Sequence, residues 1–285
     1  MSAHYDVIVV GIGGMGSATV YQLAKRGKRV LGLEQFDIPH SYGSSHGHNR
    51  IIRLSYAENE NYVPLLRRAY ELWREAELRF GEQLLYVTGS LHISREDQAA
   101  FAGALRSSQV HNLPHDILSA REAMQRYPGL SLPDEMQVLY SPDGGFVLSE
   151  RSIVAHVMLA QALGADVHAR EGVLDWQPTA NGVRVRTPRG TYEADKLVIT
   201  VGAWASQLLE PLGAGLAIAQ RQVLAWFQPT EPQHYALGKL PVWIIQDEGG
   251  SWYGFPVHGL PGFKLGRMYH LHQDTTPDAV DRDIH

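Results

Sequence analysis

The order of hydrophobic and polar residues along the chain predicts an α/β fold that opens with a strand, a turn, a helix and a second strand. Residues 5–10 form a continuous apolar run rich in β-branched side chains, which is typical of a buried parallel strand. The pattern over residues 14–26 predicts an amphipathic helix, and Gly27 follows where a C-terminal capping glycine belongs. Residues 28–33 return to an apolar run that ends at Glu34. This opening segment therefore predicts a β-α-β unit.

The remaining chain alternates between helical and strand patterns. Residues 61–80 place apolar side chains at spacings of three and four, which predicts a long helix with one buried stripe. Residues 149–163 predict another long helix that ends before Gly164. Alternation at Val183 and Val185 predicts a strand. Further pieces are helices at 95–107 and 119–127, a separate buried strand at 197–201, and several strands within 220–270.

These elements predict two interleaved domains. Elements of the dinucleotide-binding type fall in two blocks, residues 1–85 and 150–215. Residues 86–149 and 216–285 are expected to build a second, mainly β (α+β) domain.

Composition excludes several functional classes. The chain has 285 residues, of which 44% are hydrophobic and 19% charged, as in an ordinary folded protein. The net charge of -5 without a basic stripe argues against nucleic acid as a partner. The sequence contains no run of about 18 apolar residues, which is the length that would predict a membrane-spanning helix. The absence of cysteine and of a signal-like N-terminus favours a cytoplasmic location and excludes thiolate chemistry in this chain.

The glycine-rich turn after the first strand has the chemistry of a dinucleotide site. Gly11, Gly13 and Gly16 form G-x-G-x-x-G, in which the glycines permit a tight turn, close approach of a pyrophosphate and close packing of helix on strand. The helix N-terminus offers free N–H groups to phosphates. Glu34 can accept hydrogen bonds from a ribose diol, and its charge disfavours the 2′-phosphate of NADP. The motif does not separate NAD from FAD, and a glycine-rich turn without a ligand is the structural alternative.

A second cluster, "HSYGSSHGHNRIIR", spans residues 40–53. Three roles remain open from the residues themselves. His46 and His48 could bind a metal, although no partner carboxylate accompanies them, and we predict no metal site. Arg50 and Arg53 could be solvated surface charges, or they could face a cofactor or a carboxylate substrate, which a guanidinium binds in a bidentate manner.

Taken together, these stretches resemble the monomeric sarcosine oxidase and N-methyltryptophan oxidase family, which are FAD-dependent amine oxidases of the D-amino-acid-oxidase-like superfamily. The resemblance rests on the glycine fingerprint, "GSSHGHNRIIR" and "NYVPLLRRAYELW", and it continues in order through "SERSIVAHVMLAQALGADV", "ADKLVITVGAW", "WYGFP" and "FKLG". It spans essentially the whole chain.

The resemblance implies a Rossmann-like FAD-binding domain interleaved with a substrate domain, with the substrate beside the flavin ring. It also implies an oxidase that takes a secondary (N-methyl) amino acid and O2 to an imine, then to an aldehyde, a primary amine and H2O2, and that acts as a monomer. The residues implied for FAD binding are Gly11, Ile12, Gly13, Gly14, Met15, Gly16, Glu34, Gln35, Ser44, Arg50, Val173, Gly202 and Trp204.

The same resemblance implies six residues around the chemistry. Arg53 is expected to pair with the substrate carboxylate, and Arg50 to lie by the flavin and favour its reduced form. His46 is expected near the ring, Tyr253 in the substrate pocket and Lys264 in a polar contact by the flavin. Family members place a histidine soon after K-x-G; Met268, Tyr269 and His270 are the candidates, and we favour His270.

The chain departs from the family at its end. Members of the family continue well beyond residue 285, through a segment that closes the FAD domain and carries the cysteine that binds flavin covalently. We therefore expect this chain to be C-terminally truncated and by itself poorly stable or inactive. Two other readings stay open: a non-catalytic or incomplete FAD-binding chain, and an NAD-dependent dehydrogenase.

Overall fold

The computed structural model describes residues 4–209 and 217–283. Its helices are α1 (Gly14–Lys25), α2 (Tyr62–Phe80), α3 (Ala99–Val110), α4 (Ala120–Arg126), α5 (Ser149–Ala162) and α6 (Ala205–Leu208). Its strands are β1 (His4–Val10), β2 (Val30–Leu33), β3 (Asn49–Ile52), β4 (Leu85–Val87), β5 (Ser90–Ser94), β6 (Asp116–Ser119), β7 (Gln137–Ser141), β8 (Gly145–Leu148), β9 (Asp166–His168), β10 (Asp175–Thr179), β11 (Gly182–Thr187), β12 (Gly190–Ile199), β13 (Ala219–Gln220), β14 (Leu224–Phe227), β15 (Val242–Asp247), β16 (Gly250–Gly254), β17 (Phe263–Arg267) and β18 (Asp274–Thr275).

The chain folds as two compact units, each built from separate stretches. The first unit comprises Met1–Gly47, Ser149–Arg221 and Asp274–His285, and the second comprises His48–Leu148 and Gln222–Gln273.

This division differs from the sequence-based boundaries at residues 85 and 215. Residues 48–85 fall in the second unit because β3 and β4 both pair with β8 rather than with the parallel sheet. Residues 274–285 fall in the first unit, where β18 pairs with β13. Long-range strand pairing decides these memberships, and a local pattern does not reveal it.

The first unit is a doubly covered, mostly parallel sheet. Its order is β10-β11-β12-β1-β2-β9, in which β12, β1, β2 and β9 run parallel. Strand β1 buries both faces: Val7 and Val9 pack with α1 and α5, while Ile8 and Val10 pack in a second apolar cluster on the other face. This explains why the strand reads as a continuous apolar run.

The opening β-α-β unit is confirmed, with small shifts of its ends. Helix α1 ends at Lys25, and Gly27 follows with a positive φ of 73°. The separate strand expected at 197–201 is wrong. Residues 197–199 are the end of one ten-residue strand, β12, which pairs antiparallel with β11 and parallel with β1 along most of its length, and residues 200–201 lie beyond it.

The second unit contains two sheets. The larger has the order β14-β17-β16-β15-β5-β7-β6, with a single parallel pair between β15 and β5, and the smaller is antiparallel with the order β3-β8-β4. One face of the larger sheet carries an apolar core that includes Leu91, Val138 and Trp243. Within the described residues, no helix is both long and apolar enough to cross a bilayer.

Candidate functional site

The glycine turn after β1 is built so that side chains cannot replace two of its glycines. Gly11 has φ +87°, and a Cβ there would lie 2.6 Å from the Thr200 carbonyl oxygen. A Cβ on Gly16 would lie 1.8 Å from the Gly11 carbonyl oxygen, so only glycine lets α1 pack this closely on the turn. Gly13 differs, because its nearest neighbour would be the Ser45 Oγ at 3.5 Å. Gly13 therefore borders open space, whereas Gly11 and Gly16 occupy positions that are tightly packed against backbone.

The N-terminus of α1 offers backbone donors at this turn. Its N-cap, Gly13, has no capping side chain, and the first turn holds no acidic residue. The Gly14 N–H donates to the Ser45 hydroxyl at 3.0 Å. The sequence reasoning chose Ser44 and missed Ser45, although the paired serines were the available signal. The first amides of a helix have no intrahelical acceptor, and together with the positive end of the helix dipole they make this a place for an anionic group.

Glu34 directly follows β2 and contacts the glycine turn. It is 4% exposed; its Oε2 accepts the Ile12 N–H at 2.8 Å and its Oε1 accepts the Phe36 N–H at 3.1 Å. His40 Nε2 lies 3.6 Å from Oε1. Three contacts thus fix a buried carboxylate at the tip of the strand, in the position that a ribose diol requires.

These residues surround a cavity of about 610 Å³ that lies within the first unit. Its volume falls in the ordinary range of small-molecule sites. The predicted FAD-binding residues that line it are Gly11, Ile12, Gly13, Gly14, Met15, Glu34, Gln35, Ser44, Val173, Gly202 and Trp204. Gly16 packs beneath the turn, and Arg50 belongs to the second unit. The sequence reasoning missed other lining residues, among them His40, Ser45 and Thr200.

Gly172 and Val173 form one wall of this cavity, and hydrogen bonds to the buried carboxylate of Glu171 hold this wall in place. Glu171, just before it, is 1% exposed and accepts hydrogen bonds from the Thr187 hydroxyl at 2.7 Å and the Tyr192 hydroxyl at 2.8 Å. Burial raises the pKa of Glu171, but these hydrogen bonds and the neighbouring imidazole of His168 outweigh it and hold the pKa below its ordinary value. The ionised carboxylate therefore ties this wall to β11 and β12.

Trp204 lies in a 3₁₀ turn, Gly202–Trp204, that follows β12. Its Nε1 donates to Asp278 at 3.1 Å, and Gln207 donates to the same carboxylate at 2.9 Å. Both hydrogen bonds lower the pKa of Asp278. The Trp204 ring lies 5.5 Å from that of Phe36, so this turn joins the aromatic residues that follow β2.

The second unit gathers most of the residues expected around the chemistry. Lys264 on β17 is 3% exposed, and its Nζ donates to the backbone oxygen of Asn49 at 2.8 Å and to the Asn49 Oδ1 at 2.9 Å. The Arg50 guanidinium donates to the same Asn49 backbone oxygen at 2.8 Å. Burial raises the pKa of Tyr253, and the charge of Arg50 opposes that change. Arg50, Tyr253 and Lys264 therefore form one cluster.

Arg53 directly follows β3, the strand that carries Arg50, and it is 9% exposed. Its NH2 lies 3.3 Å from the Glu58 carboxylate, and its guanidinium stacks 4.4 Å from the Tyr56 ring centroid. Among the described residues, its Nε has no hydrogen-bond acceptor. A buried N–H without an acceptor costs free energy, which suits a site that receives an anionic ligand.

The two predicted histidines belong to different units. His46 belongs to the first unit, where its Nδ1 lies 2.6 Å from the Gly43 carbonyl oxygen. His270 starts a 3₁₀ turn, His270–His272, and is partly exposed. Met268 directly follows β17, and its N–H donates to the Ser251 carbonyl oxygen on β16. The choice among Met268, Tyr269 and His270 stays a prediction.

His48 pairs with another histidine. Its Nε2 lies 3.1 Å from the Nδ1 of His258. Across residues 4–209 and 217–283, no three histidine, aspartate or glutamate side chains group closely enough to hold a metal ion.

His92 on β5 is a buried titratable residue that the sequence reasoning missed. It is 4% exposed, and its Nε2 finds no hydrogen-bond partner among the described residues. Burial, with a smaller contribution from the charge of Arg53, lowers the pKa of His92 to about 3. No local pattern marked His92, because Leu91 and Ile93 alternate with it along β5 and all five residues of this strand are buried.

We expect His92 to make the protein sensitive to mild acid. The unfolded imidazole, with a pKa of 6.5, takes up a proton as the pH falls below that value, whereas the folded one stays neutral until about pH 3. Stability should therefore be lost as the pH falls from 6.5 towards 4, at up to about 1.4 kcal/mol per pH unit for one proton. Urea denaturation of wild type and His92→Gln at several pH values measures this difference. The exposed His272→Gln is the control; equal acid slopes for wild type and His92→Gln would contradict the prediction.

Comparison with known proteins places this geometry in a family. Residues 6–285 match the family described as FAD dependent oxidoreductase. The chain is 43% identical over 295 residues to the monomeric sarcosine oxidase of Streptomyces avermitilis, an alignment that covers 100% of this chain and 75% of that relative. It is 30% identical over 266 residues to the N-methyl-L-tryptophan oxidase of Yersinia pestis, covering 93% of this chain and 70% of that relative.

A solved structure agrees with these sequence matches. The open form of NikD, described as an unusual amino acid oxidase essential for nikkomycin biosynthesis, superposes with a TM-score of 0.84 at 31% identity. The superposition covers 98% of this chain and 73% of that one.

Proposed function

The chain belongs to the FAD dependent oxidoreductase family, and from that premise we propose that it oxidises the C–N bond of a secondary, N-methyl amino acid with O2. The observation that carries the substrate class is Arg53, a buried guanidinium with one N–H that has no acceptor among the described residues. An amino acid brings a carboxylate that can accept this hydrogen bond. The curated relatives named for sarcosine and N-methyl-L-tryptophan make N-methyl amino acids the substrates to test first.

The first unit fits FAD on grounds of its own geometry. The turn admits no side chain at Gly11 or Gly16, and the open space at Gly13 and the amides of α1 suit a pyrophosphate. Glu34 would accept the ribose hydroxyls. Gly14, Met15, Gln35, Ser44, Val173, Gly202 and Trp204 would line the rest of the cofactor. When bound, FAD would supply the two-electron oxidation that amino-acid side chains cannot perform.

Arg53 and Tyr253 would bind and orient the substrate. The Arg53 guanidinium would hold the carboxylate by paired hydrogen bonds. The Tyr253 ring lies against Gly266, where a Cβ would stand 2.5 Å from the tyrosine hydroxyl, so a glycine is required beside it. A fixed ring of this kind would pack against the substituents of the amine.

Arg50 and Lys264 would supply positive charge where electrons arrive. Charge that is already in place stabilises a developing negative charge without reorganisation. His46 would influence amine binding, and His270 would take the position of the family's substrate-site histidine.

The overall reaction balances with O2 and water as co-reactants. The amine loses its C–H hydrogen and its N–H proton, together with two electrons, to become an imine, and water converts the imine to an aldehyde and a primary amine. The two electrons and two protons reduce O2 to H2O2. For sarcosine the products are formaldehyde, glycine and H2O2. We propose that the protein acts as a monomer, in keeping with the names of its relatives, and that it is cytoplasmic.

The test is a visible spectrum of the purified chain, followed by peroxide detection. We expect the chain, purified or supplied with FAD, to show flavin absorbance. Release of H2O2 with sarcosine or an N-methyl amino acid would demonstrate the proposed oxidase activity and overturn the expectation that this chain by itself is inactive. Acid precipitation then separates free flavin, which moves to the supernatant, from covalent flavin. Flavin without peroxide from any N-methyl amino acid would favour a non-catalytic FAD-binding chain. NAD(H)-dependent turnover without flavin would contradict the proposal and favour a dehydrogenase.

A further inference from the structure

One face of the larger sheet in the second unit carries a buried histidine, His92, in line with Tyr253. Tyr253 on β16 lies opposite Ile244 on β15, and Ile244 lies opposite His92 on β5. Residues directly opposite each other on neighbouring strands project from the same face of a sheet. Tyr253 and His92 therefore project from one face, two strands apart, which is a separation of roughly 10 Å between their strands.

The segment that carries Arg53 packs on this same face. Ile51 on β3 belongs to one apolar cluster with Val242 and Tyr253 of the larger sheet. Val242 lies two residues before the Ile244 position on β15, so the two share a face. Strand β3 ends at Ile52, and Arg53 is the next residue of the chain.

The Arg53 guanidinium lies near the His92 imidazole. Burial lowers the pKa of His92 to about 3, and the positive charge of Arg53 contributes to this change. A charge has such an effect only at close range when both groups are in the same protein interior. His92 is therefore neutral at pH 7, and it lies beside a cation without repelling it.

Each of these two side chains has one buried nitrogen without a hydrogen-bond partner among the described residues. They are the Nε of Arg53 and the Nε2 of His92, in side chains that are 9% and 4% exposed. A buried polar nitrogen without a partner costs free energy. A carboxylate has two oxygens and about four lone-pair sites, so one carboxylate can accept hydrogen bonds from both nitrogens.

We propose that His92 is a second residue that binds the substrate carboxylate, so that its Nε2–H and the Nε–H of Arg53 donate to the same group. This inference rests on the proposed function, in which Arg53 binds that carboxylate. The neutral imidazole then carries its proton on Nε2. Two donors in different directions fix the plane of the carboxylate as well as its position, and they hold the rest of the amino acid in one orientation.

The test is a calorimetric titration of the chain, supplied with FAD, with methoxyacetate at neutral pH. Methoxyacetate is the ether analogue of sarcosine, so it keeps the carboxylate and has no amine to oxidise. The variants are His92→Leu, which removes the donor, and His92→Gln, which keeps an N–H donor. Ser94→Ala is the matched control, because Ser94 is buried on the same face of β5 and its hydroxyl donates to the Arg95 backbone oxygen.

We expect His92→Leu to raise the Kd of methoxyacetate about tenfold or more, as for a lost hydrogen bond to a charged group. His92→Gln should stay within about threefold of wild type, and Ser94→Ala should bind as wild type does. If His92→Leu does not fold, His92→Val gives the same comparison with a smaller side chain that favours strands.

Unfolding in urea separates this function from a packing role. Leucine removes a buried polar atom that has no partner, so His92→Leu should be at least as stable as wild type at neutral pH. A packing role instead predicts a loss of stability with an unchanged Kd.

A Kd in His92→Leu within about twofold of wild type, where Arg53→Met weakens binding, overturns the inference alone. A wild-type chain that does not bind methoxyacetate, or an equal Kd in wild type and Arg53→Met, overturns the carboxylate role of Arg53 together with it.

Discussion

Replacing Arg53 with methionine is expected to reduce kcat/KM for an N-methyl amino acid by about 30-fold to several thousand-fold. This range corresponds to the 2–5 kcal/mol that loss of one partner from a buried hydrogen-bonded charge pair typically costs. The side chain is 9% exposed, and its Nε finds no protein acceptor among the described residues; we propose that the substrate carboxylate supplies this acceptor. Most of the change should appear in KM, because the carboxylate is bound equally before and during the reaction.

Steady-state peroxide release with sarcosine measures the effect of Arg53→Met. Arg53→Lys keeps the charge but loses the planar fork, so its kcat/KM should lie between wild type and Arg53→Met. Arg121→Met, at an exposed position on α4, is the matched control and should behave as wild type. A KM within twofold of wild type for Arg53→Met would show that the carboxylate binds elsewhere.

Replacing Gly16 with alanine should damage the fold itself. The new Cβ would stand 1.8 Å from the Gly11 carbonyl oxygen and 2.7 Å from the Thr200 hydroxyl. The first of these atoms is backbone and cannot rotate away, so α1 must move off the turn. The expected loss is ~3 kcal/mol, at the upper end for overpacking. Urea denaturation of the flavin-free chain measures it.

Gly13→Ala in the same turn separates folding from cofactor binding. Its Cβ would meet only the Ser45 Oγ at 3.5 Å, which is an ordinary contact, so stability should change little. The methyl group would occupy the space that we assign to the pyrophosphate, and FAD affinity should fall about tenfold or more, equivalent to ~1.4 kcal/mol. Fluorescence titration with FAD measures the affinity. If Gly16→Ala were as stable as Gly13→Ala, the packing argument would be wrong.

The opening β-α-β unit could be predicted because its signals are local. The apolar run of β1, the glycine spacing and the acid at the end of β2 lie within about thirty residues of each other. Each corresponds to a steric or hydrogen-bonding need that neighbouring residues satisfy, as the positive φ of Gly11 and the Ile12 N–H bound to Glu34 illustrate.

Residues that act through distant contacts were not predicted. Ser45 reaches the amide of Gly14, Asp278 joins Trp204 to Gln207, and His92 is buried in a strand whose pattern by itself suits several side chains. None of these partners is visible in the spacing of the residues themselves. Arg50, Arg53, Tyr253 and Lys264 were found through motifs that resemble a family, and not through their burial.

By itself, the sequence determined the mixed α/β class, the dinucleotide-type turn and its acid, because strand and helix periodicity and glycine sterics operate over short stretches of chain. Only the tertiary structure decided that β3 joins β8 rather than the parallel sheet, which moves residues 48–85 into the second unit. It also decided that Lys264 meets Asn49 across 215 residues of sequence. Strand partners and buried polar contacts depend on which distant segments exclude water together, and no local pattern contains that information.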